Sequence, residues 1–211
     1  MTSRLTQKLL LQAISELSAK DKALPRIVKQ YGPPPMWGRK AGFAAMLKII
    51  LGQQVSLISA QAVFEKLENK VGEVSPEQIQ ALTTDGLRKL GFTRQKARYC
   101  YGLAEQILSG ELDLEKLKAM DDETAHNTLL KIKGIGPWTA NIYLLMALRR
   151  PDVWPDGDLA LAESARRIKK LKQRPSCERL NKMARKWKPW RSVAARILWH
   201  AYLEENRTSA S

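Results

Sequence analysis

Apolar side chains recur every three or four residues along most of the chain, a spacing typical of helices that bury one face. Polar residues mark the expected ends: Ser56 and Ser75 stand at N-cap positions, and Gly110 follows a predicted helix end. Strand signals are scarce, because no Asn-Gly or Asp-Gly pair separates two alternating apolar runs. The pattern predicts an all-α protein with helices over about residues 5–19, 43–51, 56–69, 75 onward, 94–108, 121–132, 137–148, 158–171, 176–187 and 191–204. In the helix capped by Ser56, the predicted buried stripe is Ile58, Val63, Phe64 and Leu67.

Composition supports a globular protein without a membrane anchor. The chain has 211 residues, of which 44% are hydrophobic and 27% charged. No apolar run approaches the roughly 18 residues that a membrane span needs, and we expect no signal peptide. Two cysteines, Cys100 and Cys177, and two histidines are too few for a disulfide framework, a four-Cys cluster or a His-based metal centre. We therefore expect a reducing compartment, the cytoplasm, or the nucleus if the source is eukaryotic.

The positive charge is unevenly distributed. The net charge is +15, and residues 166–196 alone hold thirteen Lys or Arg against one acid, Glu178. Residues 111–130 are instead rich in Asp and Glu. A segregated basic segment favours a polyanionic partner, most often nucleic acid. The alternative is a solvated surface that keeps the protein soluble.

A loop of four residues, Lys133 to Gly136, joins two predicted helices. Gly134 and Gly136 can both take positive φ and leave the backbone bare, and Pro137 suits the first position of the next helix. The N–H groups at that helix start can bind an anion such as a DNA phosphate, with Lys133 beside it. An ordinary tight turn with Ile135 in the core is the equally weighted alternative.

Four segments together resemble the helix-hairpin-helix DNA glycosylase superfamily, in its 3-methyladenine DNA glycosylase II branch. Residues 129–141 (LLKIKGIGPWTAN) resemble the hairpin motif, and residues 51–56 (LGQQVS) the family's early helix-loop-helix motif. Residues 154–159 (WPDGDL) resemble the segment of the catalytic aspartate, and residues 187–192 (WKPWRS), continuing to Trp199, the C-terminal signature. The resemblance implies one two-lobed helical unit over residues 1–211 with a cleft between the lobes. It places lobe A at about 1–50 plus 145–211 and lobe B at about 51–144.

Asp158 has two compatible interpretations. It follows Gly157 at the start of a predicted helix, where a carboxylate commonly serves as N-cap. By resemblance it is the catalytic aspartate, which stabilises the oxocarbenium-like sugar or activates water. Asp156 is the nearby alternative, and we expect it to be a solvent-exposed loop acid.

The resemblance also implies a pocket for a flipped base and a DNA-contacting surface. The implied pocket residues are Trp138, Trp199, Gln53, Ile142 and Leu159, where the indoles favour a positively charged alkylated purine. Gln53 can equally cap a helix, and Ile142 and Leu159 stand where relatives often have Tyr. The implied DNA contacts are Lys133, Gly134, Ile135, Gly136, Thr139, Gln54 and Arg191, with Gln54 as the candidate wedge. Trp187 and Trp190 are expected in the core.

No cofactor is expected to be required, and no iron–sulfur cluster. By resemblance alone, main-chain carbonyls of Leu130, Ile132 and Gly134 hold a Na⁺ or K⁺ ion at the hairpin. Trp138 stands where strand-nicking relatives carry a nucleophilic lysine, so no lyase activity is expected.

The predicted function is a monomeric, monofunctional glycosylase of double-stranded DNA. It flips alkylated purines of the 3-methyladenine and 7-methylguanine type and hydrolyses the N-glycosidic bond. One alternative is a glycosylase for another base, such as hypoxanthine, ethenoadenine or uracil. The other is a non-enzymatic helix-hairpin-helix module that binds DNA.

Overall fold

The computed structural model describes residues 4–208, and every regular element in that range is helical. The α-helices are α1 Gln7–Lys20, α2 Leu24–Tyr31, α3 Phe43–Leu51, α4 Leu57–Val71, α5 Pro76–Lys89, α6 Arg94–Leu108, α7 Asp122–Leu130, α8 Pro137–Ile142, α9 Leu159–Ile168, α10 Cys177–Ala184 and α11 Arg191–Thr208. Short 3₁₀ turns cover Lys116–Lys118 and Arg185–Trp187, and a π-helical turn covers Tyr143–Ala147. The predicted all-α class is confirmed. Within the described range, no helix is both long and apolar enough to cross a membrane.

The chain divides into two compact units. Unit 1 comprises residues 39–148, and unit 2 combines the described residues 4–38 with 149–208. Unit 2 is therefore made from both ends of the chain, which are joined where the Leu5 N–H donates to the Arg149 carbonyl at 2.7 Å. The lobe limits expected from the sequence lay near residues 50 and 145, whereas the units change at 38/39 and 148/149.

Unit 1 is organised around α3, whose residues are almost all apolar and buried. It packs against α4, α6 and the π-helical turn that extends α8. Tyr143 in that turn is buried, and its hydroxyl accepts a hydrogen bond from the Gly42 N–H at 3.1 Å. Burial raises the pKa of Tyr143 to about 12, so the phenol stays neutral.

Unit 2 is organised around α11, which packs against α1, α2 and α9. Arg196 on α11 is fully buried and donates to the Trp37 carbonyl at 2.5 Å. Desolvation lowers the pKa of Arg196 to about 10. The predicted core position of Trp187 is confirmed, whereas Trp190 is only half-buried and donates its indole N–H to Glu16.

One helix was missed, and two local expectations were wrong. Helix α2 was not predicted, and it begins next to Pro25 in a short polar segment. Ile58 is 84% exposed, because the buried stripe of α4 runs through Ala60, Phe64 and Leu67. Helix α9 ends at Ile168 rather than 171, and Lys170 beyond it has a φ of 51°.

Candidate active site

Asp158 is held at the start of α9 by two N–H donors. Its Oδ1 atom accepts from the Leu161 N–H at 2.9 Å, which makes it the N-cap, and from the Trp199 indole N–H at 3.3 Å. The residue is 8% exposed. Because both donors are fixed to helices, they restrict the direction in which the carboxylate points.

The backbone around Asp158 is shaped by a tight turn and by the pairing of α9 with α11. The Asp158 N–H donates to the Pro155 carbonyl at 3.3 Å, and Gly157 between them has a φ of 76°, which favours glycine. Ser164 on α9 donates to the Leu198 carbonyl of α11 at 2.7 Å. This second contact holds Trp199 in register with the start of α9.

Asp156 is not the solvent-exposed acid expected from the sequence. It is half-buried, and its Oδ1 accepts from the Asn181 amide at 2.8 Å and the Cys177 thiol at 2.6 Å. The hydrogen bond to Asp156 raises the pKa of the Cys177 thiol. These two contacts give Asp156 a structural role, because they hold its loop against α10.

The hairpin between α7 and α8 uses its two glycines differently. Gly134 has a φ of 90°, and a Cβ at this residue would stand 2.3 Å from ring carbons of Tyr99. Gly136 has a φ of −90°, so it does not use the positive φ that glycine can take, and a Cβ would meet nothing within 4 Å. The fold itself therefore requires glycine at 134 but not at 136.

Two residues expected to contact DNA support the hairpin from inside. Ile135 is 4% exposed and Thr139 is 3% exposed, so both side chains are buried. The Thr139 hydroxyl accepts a hydrogen bond from Gln53. Only Lys133 and Gly136 of the predicted loop contacts are exposed.

A second loop, the turn of residues 52–56, is tied to this hairpin. The Gln53 amide nitrogen donates to the Gly134 carbonyl and to the Thr139 hydroxyl, both at 2.9 Å. The sequence left open whether Gln53 reaches the pocket or caps a helix, and the structure shows this third use. A place for Gln53 in the base pocket stays a prediction.

Lys96 holds the same turn from the other side, and sequence reasoning missed it. Its ammonium donates to the Leu51 carbonyl at 2.6 Å and to the Gln53 carbonyl at 2.8 Å. Burial lowers the pKa of Lys96, yet the two carbonyls satisfy two of its three donors. Nothing in the sequence distinguishes Lys96 from the other basic residues of α6.

Gln54, the candidate wedge, is at the exposed tip of this turn. Its φ of 55° is rare for a residue with a side chain, and the contacts of Lys96 and Gln53 hold the turn that contains it. The neighbouring apolar residues are unusually exposed, at 68% for Leu57 and 84% for Ile58. The turn therefore has an exposed polar residue, Gln54, at its tip, followed by the exposed apolar side chains of Leu57 and Ile58.

The predicted pocket residues are distributed over both units. In unit 1, α8 carries Trp138, which is half-buried, and Ile142, which is 8% exposed. In unit 2, Trp199 is half-buried beside Asp158, and Leu159 is 70% exposed.

Five of the thirteen cations in residues 166–196 form ion pairs with acids, including Arg174 at 3.8 Å from Glu163, and Arg196 is buried. Arg166 and Arg167 bind Glu163, and Lys169 binds Asp21. Arg191, expected to contact DNA, instead forms a two-pronged ion pair with Asp152 that fixes the start of α11. The exposed cations that remain are Lys170, Lys172, Arg179, Lys182, Arg185, Lys186 and Lys188.

Of the three carbonyls expected to hold a monovalent cation, those of Ile132 and Gly134 already accept hydrogen bonds. The Ile132 carbonyl accepts from the Ile135 N–H at 3.0 Å, and the Gly134 carbonyl accepts from Gln53. A carbonyl oxygen has two lone pairs, and a monovalent cation at these three carbonyls stays a prediction. Among the described residues, no cluster of three His, Cys, Asp or Glu side chains is arranged for a metal ion.

Comparison with known proteins gives consistent matches. The family model of the HhH-GPD superfamily of base excision DNA repair proteins matches residues 47–189. A DNA-3-methyladenine glycosylase of Bacillus subtilis (strain 168) is 34% identical over 169 residues, covering 74% of this chain and 56% of its own. A putative DNA-3-methyladenine glycosylase of the same bacterium is 31% identical over 187 residues, covering 85% and 65%. The chain thus spans less than two thirds of the length of either relative.

A solved structure is similar over a larger share of both chains. The 3-methyladenine DNA glycosylase of Schizosaccharomyces pombe, in complex with abasic DNA, is 28% identical and superposes with a TM-score of 0.82. The match covers 89% of this chain and 95% of that one.

Proposed function

The chain belongs to the HhH-GPD superfamily of base excision DNA repair proteins, and we propose that it is a DNA glycosylase that removes alkylated purines from double-stranded DNA by hydrolysis. The observation that carries the proposal is the carboxylate of Asp158, which is held by the Leu161 N–H and the Trp199 indole. Its fixed negative charge suits a reaction in which positive charge develops on a sugar.

The chemistry needs little beyond that carboxylate. When the bond between C1′ and the purine nitrogen breaks, both electrons leave with the base, and a cationic alkylated purine departs neutral. The sugar becomes oxocarbenium-like, and Asp158 stabilises it electrostatically. A water molecule then adds to C1′ and gives its proton to Asp158 or to solvent, which leaves an abasic site.

Base selection in this proposal rests on aromatic faces. An electron-rich indole attracts a cationic purine more strongly than a neutral one, by about 0.5–2 kcal/mol per contact. Trp199 brings such a ring next to Asp158, and Trp138 is proposed to contact the base as well. Because position 138 holds Trp rather than an amine, no Schiff base forms there and strand cleavage is not part of the reaction.

DNA binding is proposed to use the hairpin and the exposed cations. Gly136 precedes the N-terminus of α8, where bare N–H groups can bind a phosphate, and Lys133 adds a positive charge. Gln54 is proposed to fill the gap left by the flipped base. Since the exposed cations of α10 and its neighbours would displace counterions, affinity should fall steeply as salt rises.

The remaining parts of the proposal concern the protein's state. We propose a monomer that acts where the DNA is, in the cytoplasm or, in a eukaryote, the nucleus. It requires no cofactor, and a Na⁺ or K⁺ ion at the carbonyls of Leu130, Ile132 and Gly134 would only bridge the hairpin to a phosphate.

The test is a panel of duplexes, each carrying one lesion, assayed for free base. We expect release of 3-methyladenine and 7-methylguanine without strand cleavage. Release of only hypoxanthine, ethenoadenine or uracil would reassign the substrate. Tight binding to an abasic duplex with no base released from any lesion would show a DNA-binding module instead of an enzyme.

A further inference from the structure

We propose that Asn181 is a positioning residue that holds the loop of residues 154–158 in place by two hydrogen bonds. The position of this loop sets the direction of the Asp158 carboxylate. This inference rests on the proposed role of Asp158. It concerns residues 154–158 and helix α10, all of which belong to unit 2.

Asn181 uses both ends of its amide on this loop. Its Oδ1 atom accepts from the Trp154 indole N–H at 3.0 Å, and its Nδ2 atom donates to Asp156 at 2.8 Å. An indole only donates and an ionised carboxylate only accepts, so the two partners fix which way the amide is turned. The two hydrogen bonds thus hold the loop at Trp154 and at Asp156, the residues on either side of Pro155.

Backbone hydrogen bonds connect the two residues held by Asn181 to Asp158. The Pro155 carbonyl between the two anchors accepts the Asp158 N–H at 3.3 Å, and Asp156 donates its own N–H to the Trp154 carbonyl at 3.0 Å. Gly157 is the one residue between Asp156 and Asp158, and it has a φ of 76°, which favours glycine. Fixing Asp156 therefore limits how far the backbone of Asp158 can turn.

Helix α10, which carries Asn181, is fixed by several contacts of its own. Helix α10 is capped by Ser176, whose hydroxyl accepts from the Arg179 N–H at 3.2 Å, and it buries Leu180 and Ala184. The Trp154 ring lies against the buried Trp187 ring with centroids 5.4 Å apart. Cys177 adds a second donor to the same oxygen of Asp156 that Asn181 binds. Motion of the loop must break several of these contacts together.

One substitution should remove the hydrogen bond between residues 181 and 156, and a second should restore it with donor and acceptor exchanged. In Asn181→Asp, the carboxylate still accepts from Trp154 but faces the carboxylate of Asp156, where a donor is required. In the double variant Asp156→Asn/Asn181→Asp, the amide nitrogen at position 156 can donate to the carboxylate at position 181. The hydrogen bond is then restored in the opposite direction. Asn206→Asp is the matched control, because it adds the same charge on α11 beside Arg167.

The experiment measures the single-turnover rate of base release and the duplex Kd for each variant. We expect Asn181→Asp to lower the rate about tenfold or more with Kd within about threefold, and Asp156→Asn/Asn181→Asp to recover most of the loss. Asn206→Asp should match the wild type. An unchanged rate in Asn181→Asp, or no recovery in the double variant, would overturn the inference.

A second readout does not depend on activity. The indole ¹⁵N–H resonance of Trp199 reports its hydrogen bond to Asp158. It should shift in Asn181→Asp, return in the double variant and stay in place in Asn206→Asp. If the wild type releases no base, the proposed function fails, while this resonance still decides whether Asn181 positions Asp158.

Discussion

The aromatic ring of Tyr99 occupies the space that a side chain at Gly134 would need. A Cβ on Gly134 would stand 2.3 Å from two ring carbons, and the φ of 90° at Gly134 further disfavours any other residue. Helix α6 thus supports the hairpin through Tyr99 and the turn of residues 52–56 through Lys96.

The two hairpin glycines should respond oppositely to alanine. Gly134→Ala forces both a steric overlap and an unfavourable φ, so we expect a loss of roughly 2–4 kcal/mol in unfolding free energy. Gly136→Ala should cost less than about 1 kcal/mol, because its φ is ordinary and the space is open. It should instead weaken duplex binding about tenfold by blocking close approach of a phosphate.

Thermal unfolding and duplex titration of both variants check this pair. If Gly136→Ala binds DNA as tightly as the wild type, the hairpin does not approach DNA through that residue.

Removing the Lys96 ammonium should loosen the turn that carries Gln54. Lys96→Met leaves the carbonyls of Leu51 and Gln53 without their charged donor, and we expect a loss of about 1–3 kcal/mol in unfolding free energy. Duplex affinity should also fall, since the turn is proposed to enter the DNA. Lys66→Met on α4, which removes an exposed lysine, is the control for lost charge. Equal effects in the two variants would mean that only net charge matters.

The indole N–H of Trp199 should matter separately from its ring. Trp199→Phe keeps an aromatic face but removes the donor to Asp158, so base release should slow about tenfold or more. Trp190→Phe also removes an indole N–H from a carboxylate, that of Glu16, and should leave the rate unchanged. Single-turnover assays of both variants at saturating enzyme make the comparison. A rate in Trp199→Phe equal to that of Trp190→Phe would contradict the positioning of Asp158 by Trp199.

Glu163 should give the stability a defined acid dependence. Hydrogen bonds from Arg166, and then from Arg167, lower the pKa of Glu163 from 4.5 to about 2 in the folded protein. Because the folded pKa is the lower one, this contribution to stability is complete above pH 4.5 and is lost as the pH falls toward 2. We expect Glu163→Gln to lower Tm at pH 7 and the difference from wild type to shrink below pH 4.5. A difference in Tm that does not change with pH would show that Glu163 is not held in this way.

Local signals predicted most of the helices and their starts. Ser56, Ser75 and Asp158 all cap helices through side-chain oxygens, because capping depends on residues only a few positions apart. Ile58 was misassigned because an apolar residue near a helix start does not reveal which face the rest of the protein covers.

The contacts that support the site could not be predicted from local sequence patterns. Lys96 and Asn181 act through hydrogen-bond partners that are 25 to 45 residues away in the chain, and Tyr99 acts through close packing on Gly134. A single polar side chain has no periodicity, so its partner emerges only when the helices are packed. The same reason explains why Arg191 and Lys169 looked available for DNA although each is paired with an aspartate.

The most direct test of the account is Asp158→Asn. Asparagine keeps an oxygen that can accept from Leu161 and Trp199, so the fold and the duplex affinity should survive within about threefold. Release of 3-methyladenine and 7-methylguanine from methylated duplex DNA should fall at least about a hundredfold, because the charge that stabilises the sugar is gone. Wild-type release rates in a folded, DNA-binding Asp158→Asn protein would contradict the central claim.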